Sequence, residues 1–382
     1  MKDLQMYSGS VVLFVLVLTL GCGTGTPEST DAEVEVVANG PGTYQVDPFW
    51  PKPLPNNWLL GEVSGVAIDS HDHVWIIQRP NSLEPAELQA TQDPPGAECC
   101  APAPSVLEFD GEGNFIQGWG GPGEGYEWPK TEHGIFVDYM DNVWIGGNGN
   151  DDHQVLKFSR DGTFLLQIGQ AGVNEGSNST QFLGKPADTE VDPETNEVYI
   201  ADGYGNKRVI VFDADTGEYR RHWGAYGNEP DDTPPGDYDP DAPTAQQFRN
   251  PVHCVRIADD GLVYVCDRAN NRIQVFQKDG TFVKEGFIAK RTLGAGSVWD
   301  LDLSTDQVLL YNADGANQKI WTLTKDDLQI VGSFGRHGRY AGQFHWIHNV
   351  VTDSQGNIYT TEVNTGRRVQ KFAYENQVSA SD

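Results

Sequence analysis

Apolar and polar residues alternate in short runs along most of the chain, and turns rich in Asp, Asn and Gly break the runs. Six units share this pattern: SGVAIDSHDHVWII from Ser64, HGIFVDYMDNVWIG from His133, DTEVDPETNEVYIAD from Asp188, HCVRIADDGLVYVCD from His253, WDLDLSTDQVLLYN from Trp299 and HNVVTDSQGNIYTTE from His348. Each reads as a β-hairpin whose second strand carries an aromatic residue, and no long segment of 3.6-residue period competes with that reading. Several units continue into a third strand, a Gly turn and a fourth, as in VLKFSRDGTFLLQIG, VIVFDADTGEYRRHWG and IQVFQKDGTFVKEGF.

Successive units start 69, 55, 65, 46 and 49 residues apart, which is the spacing of four-stranded propeller blades with insertions. The expected fold is all-β: a six-bladed β-propeller spanning residues 44–375 as one domain, with a strand from Tyr44–Leu60 closing the ring. The alternative, a β-sandwich or two smaller β-domains, does not explain six aligned units. Pro-rich, acidic insertions between Gln78 and Ser105 and between Gly227 and Gln247 read as rim loops placed to gate a site.

The innermost strand of each blade lines the channel, so the six unit starts form a ring around the axis. His133, His253 and His348 stand in alternate blades and approach one point at about 120° intervals, an arrangement suited to a metal ion with an open position. The chain has only 9 histidines, and three in register favour a metal over isolated polar residues. Imidazoles suit zinc best and also accept iron, copper or nickel. About fifteen residues further along each unit stand Arg79, Asn148, Tyr204 and Arg268, expected around one channel mouth. An arginine beside a tyrosine favours the ionised phenol and lets it act as a base, and a second arginine clamps a carboxylate.

The bulk composition bears on partners. Acidic residues number 55 against 26 basic, a net charge of −29 that repels phosphate backbones and anionic lipids, so nucleic acid is excluded as a partner. Val11–Leu20 is a short apolar run behind Lys2 and reads, within residues 1–21, as an export signal. It ends in Leu18-Thr19-Leu20-Gly21-Cys22, which resembles the lipobox of bacterial lipoproteins, so a lipid on Cys22 is the expected membrane attachment and plain secretion the alternative. Residues 22–43 read as a flexible tether and 376–382 as a tail. Four further cysteines remain in an oxidising compartment. Counting outward from Asp259-Asp260-Gly261 places Cys254 opposite Cys266, a cross-strand bridge, whereas the adjacent Cys99 and Cys100 are either a vicinal disulfide or two thiols.

The repeats resemble NHL repeats, and the site resembles that of peptidyl-α-hydroxyglycine α-amidating lyases. The resemblance runs from about Gly61 to Phe372 and rests on VSGVAID with the arginine of IIQRPN, on EHGIFVD, IADGYGNKRVIVF, NPVHCVRI, VCDRANNRIQVF and IHNVVTD. It implies a zinc ion on His133, His253 and His348, Tyr204 as catalytic base, and Arg79 and Arg268 as active-site arginines. It also implies cleavage of an N-acyl-α-hydroxyglycine, a small-molecule or peptide substrate carrying a carboxylate, into an amide and glyoxylate. The chain departs from the family at three places. Trp346 replaces a methionine, Asn349 replaces an aspartate that helps to hold a structural calcium, and Gly205 replaces a half-cystine. Calcium is therefore a weakened expectation, and a monomer is expected. Two other functions fit the fold: a non-catalytic propeller binding protein or glycan, and a metal-dependent lactonase or hydrolase, which would favour carboxylate-held calcium over histidines.

Overall fold

The computed structural model describes residues 42–375. The export segment, Cys22 and the tail from residue 376 lie outside them. Six four-stranded antiparallel sheets form the expected six-bladed propeller, and among the described residues the only helices are short 3-10 turns. The innermost strands are Glu62–Ile68, Glu132–Val137, Asp188–Asp192, Val252–Ile257, Asp300–Leu303 and Ile347–Thr352, in blades one to six.

The ring closes through Thr43–Asp47, which pairs antiparallel with Arg368–Glu375 as the outermost strand of blade six. Joining the two ends of the fold within one sheet leaves no open seam between first and last blade. Trp58–Leu59, within the segment expected to close the ring, instead pairs parallel with Ala101–Pro102 of the first insertion.

The repeated turn has a chemical logic. Asp69, Asp138 and Asp353 accept backbone N–H groups of their own turns, and each also accepts from the aromatic six residues on: Trp75 at 3.0 Å, Trp144 at 2.9 Å and Tyr359 at 3.1 Å. One carboxylate thus sets the hairpin and pins the large side chain that fills the space between blades. Cys254 and Cys266 form the expected bridge across blade four, and the sulfurs of Cys99 and Cys100 lie against one another in the first insertion.

Candidate metal centre

Four innermost strands contain a β-bulge, and the bulges aim the site. Between Glu132 and Ile135 the pair His133-Gly134 faces one residue of the next strand, and His253-Cys254 and His348-Asn349 do the same in blades four and six. The extra residue rotates the imidazole toward the axis. In blade one Ser64 occupies the bulge, and its hydroxyl donates to Glu132 O at 2.9 Å.

The three histidines converge as expected. Their ligand nitrogens lie within 4.8 Å of one another, and the ring centroids are 4.8 to 5.0 Å apart. His133 Nδ1 donates to Ala187 O at 2.7 Å, His253 Nδ1 to Trp299 O, and His348 Nδ1 to Asn349 Oδ1 at 2.5 Å. Oxygen acceptors fix the proton on Nδ1 and leave the Nε2 lone pairs facing the axis. All three rings are buried, and burial holds their pKa values far below the ordinary imidazole value. For His348 that value is about 3, while the charges of Arg79 and Arg268 push all three in the same direction or, for His253, through Arg268 alone. Neutral imidazoles are what a metal requires.

Tyr204 caps this triangle. Its hydroxyl lies 3.0 Å from both His133 Nε2 and His253 Nε2, and Arg268 Nη1 donates to it at 3.1 Å. A hydroxyl has one proton to give, so at least one of these two nitrogens keeps a lone pair without a donor. A cation satisfies that lone pair, and the donor set fits zinc.

The turns that carry Tyr204 and Arg268 are locked by matching motifs. Asp202 accepts from Asn206 at 2.7 Å and from Arg208 at 2.9 Å, while Asp267 accepts from Asn270 at 2.8 Å and from Arg272 at 2.7 Å. Both ion pairs are fully buried, so the polar groups hold the turns rigid rather than facing water. Gly205 presses on the chain at Gly184, where an added Cβ would come within 2.6 Å of the carbonyl oxygen. No half-cystine fits there.

Arg79 reaches the same mouth but is more committed than a free clamp. It donates to Glu62 Oε2 at 2.6 Å, to Glu132 O at 2.7 Å and to Asn148 Oδ1 at 3.3 Å. Its fork keeps N–H groups to spare.

Trp299 is a site residue that the ring alignment misplaced. Asp188 pairs with Ala201 and Asp300 with Ala313, so Asp300, not Trp299, is the counterpart of Asp188. The Trp299 indole instead stands 5.7 Å from His348 and 6.1 Å from both His253 and Trp346, with the Arg268 guanidinium 4.5 Å over its ring. Trp346 holds a left-handed backbone, φ 59°, uncommon for so bulky a residue, and its N–H donates to Gln318 Oε1 at 2.7 Å. The two indoles form an aromatic wall beside the converging histidines.

On the other side of the ring the channel ends in carboxylates. Asp188, Glu190, Asp300 and Asp302 surround the Arg256 guanidinium, and a cavity of about 290 Å³ opens beyond it. Burial raises Glu190 to about 8, Asp300 to about 7 and Asp302 to about 6.

Sequence and structure comparisons agree with this architecture. The NHL repeat profile matches residues 251–276, which include His253, Arg268 and the Asp267-Asn270-Arg272 lock. Mouse NHL repeat-containing protein 3 is 29% identical over 296 residues, 72% of this chain and 71% of that protein. Peptidyl-glycine alpha-amidating monooxygenase B of Xenopus laevis is 29% identical over 274 residues, 66% of this chain and 27% of that protein. The chain thus spans about a quarter of the length of the amidating monooxygenases that it matches. A probable peptidyl-alpha-hydroxyglycine alpha-amidating lyase of Caenorhabditis elegans is 29% identical over 145 residues, 38% of this chain and 36% of that protein. Among solved structures, a Bacteroides thetaiotaomicron protein of unknown function aligns with TM-score 0.52 at 14% identity, covering 83% of this chain and 70% of that one. A streptogramin B lyase aligns with TM-score 0.50 at 11% identity, covering 87% and 98%. At these identities the structural matches speak to the fold alone.

Proposed function

We propose that this NHL-type propeller is a metal-dependent lyase that cleaves an N-acyl-α-hydroxyglycine-like carbinolamide into an amide and glyoxylate. The observation that carries the reading is the Tyr204 hydroxyl, 3.0 Å from two of the three converging imidazoles and bonded to Arg268. His133, His253 and His348 would hold zinc, whose charge, once bound, acidifies a hydroxyl presented to it.

The chain's own groups then divide the work. Tyr204 takes the proton of the substrate hydroxyl, the carbon–nitrogen bond breaks as the aldehyde of glyoxylate forms, and the departing nitrogen gains a proton to become the amide. Arg268 keeps a positive charge beside the phenol oxygen throughout the transfer, and the spare N–H groups of Arg79 face the substrate carboxylate. Trp299 and Trp346 offer an apolar surface to the acyl side of the substrate. The similarity to amidating enzymes over about two thirds of the chain supports this assignment. The Cys254–Cys266 bridge supports an exported protein, secreted or held by a lipid on Cys22, and among the described residues no helix is long and apolar enough to cross a membrane.

Glyoxylate release from an N-acyl-α-hydroxyglycine by the zinc-loaded protein tests the proposal. Tyr204→Phe should lower turnover by about 10² to 10⁴ while retaining one equivalent of metal. Equal turnover in the variant would remove Tyr204 from the chemistry. Zinc binding with no release from the wild type would favour a propeller that binds a partner and uses the metal as an internal staple.

A further inference from the structure

The resemblance to amidating lyases implies a calcium ion near the residue that follows the last zinc histidine, and the donors at that place do not fit one. Asn349 has both ends of its amide engaged. Its Oδ1 accepts from His348 Nδ1 at 2.5 Å and from Thr361 Oγ1 at 3.3 Å, and its Nδ2 donates to Asp300 Oδ2 at 3.1 Å. Both oxygens of Asp300 already accept, from Arg256 and from the Val350 N–H, so this carboxyl meets the amide as an acceptor and sets which end faces the imidazole.

A cation is already in place beneath the ring, and it belongs to the chain. Arg256 projects from the blade-four strand that carries His253 and is 8% exposed. Its Nη1 donates to Asp188 and, at 2.7 Å, to Val255 O, while its Nη2 donates to Asp300 Oδ1 at 3.1 Å. Asp188 and Asp300 each also accept a backbone N–H from the next blade, Val255 at 3.2 Å and Val350 at 3.0 Å. The guanidinium therefore joins blades three, four and five at the axis, Asp300 adds blade six, and both N–H donors, Val255 and Val350, sit on bulged strands two residues after a converging histidine.

We infer that Arg256 is a tethered substitute for an axial metal cation and that Asp300 and Asn349 relay its position to His348, which makes the histidine centre independent of calcium. The inference rests on the metal reading of the three histidines. A guanidinium presents fixed donors to two carboxylates in the way that calcium presents bonds to oxygens, but it cannot dissociate. His133 and His253 lean on backbone carbonyls, whereas His348 leans on a side chain, so the relay ends at the one ligand whose orientation a substitution can release.

Cobalt(II), whose absorption bands report ligand geometry, is the probe. It is titrated into the zinc-stripped protein with and without millimolar calcium. The wild type should bind one equivalent with the same dissociation constant and the same melting temperature in both solutions. Asn349→Ala should shift the bands and weaken binding roughly 10- to 100-fold. Arg256→Met should shift the bands in the same direction, and if it does not fold, Asn349→Ala, which removes no charge, still decides. Calcium that tightens cobalt binding or raises the melting temperature of the wild type would overturn the inference, and so would wild-type bands and affinity in Asn349→Ala. A wild type that binds no cobalt at all would instead overturn the metal centre, a separate failure.

Discussion

The two halves of the propeller channel are lined by the same innermost strands and finish with opposite chemistry. Above, three buried imidazoles turn unprotonated nitrogens toward one point, and a single tyrosine hydroxyl is shared between two of them. Below, four carboxylates close around the Arg256 guanidinium. The upper half therefore has acceptors in excess and could hold a cation from solution, while the lower half carries its cation on the chain. In a low-dielectric channel an unmet acceptor and an unmet charge are both costly, so each layer must be completed. The difference lies in whether the completing group is permanent.

Removing a ligand from the upper half should have the largest effect. His253→Ala should reduce bound zinc from about one equivalent to none and abolish glyoxylate release, with metal content measured after gel filtration. Full metal occupancy in that variant would show that the three nitrogens are not the site. The lower half should respond in stability. Arg256→Met leaves Asp188 and Asp300 buried without their partner and should cost about 3–5 kcal/mol in a denaturant titration, the range for breaking one side of a buried pair. A near-wild-type midpoint would mean that the carboxylates find protons or water at little cost.

The smallest effect is a change of slope. Burial raises Glu190 from 4.5 to about 8, so between those values the folded protein holds a proton that the unfolded chain has lost. Stability from this group is accordingly present at low pH and lost as the pH rises toward 8. Glu190→Gln should flatten the decline in melting temperature between about pH 5 and pH 8, and an unchanged slope would assign it to Asp300 or Asp302.

Much of this molecule could be read without coordinates. The hairpin repeat, the aromatic in each second strand and the three histidines in register are local patterns, because a strand and its turn are specified by neighbouring residues. The pairing of Cys254 with Cys266 followed from counting out of one turn for the same reason. The second ring of Arg79, Tyr204 and Arg268 was legible as a shared offset, though not the Asp202 and Asp267 locks that hold the latter two residues.

What escaped the sequence depended on strand pairing and on contacts between blades. His133, His253 and His348 stand five residues before Asp138, Ala258 and Asp353, because their strands carry a bulge, whereas Asp188 and Asp300 stand four before Asp192 and Ser304 in strands without one. Counting alone therefore slid blade five by one residue and put Trp299 where Asp300 belongs. Arg256 carries no local signal for a related reason: its partners lie 68 and 44 residues away, on blades three and five. The sequence by itself determined the blades and the register of the three converging histidines, because alternation and turn chemistry act over a few residues. Only the closed ring decided which side chains met on the axis, because that meeting depends on bulges and on the sum of charges from blades distant in the chain.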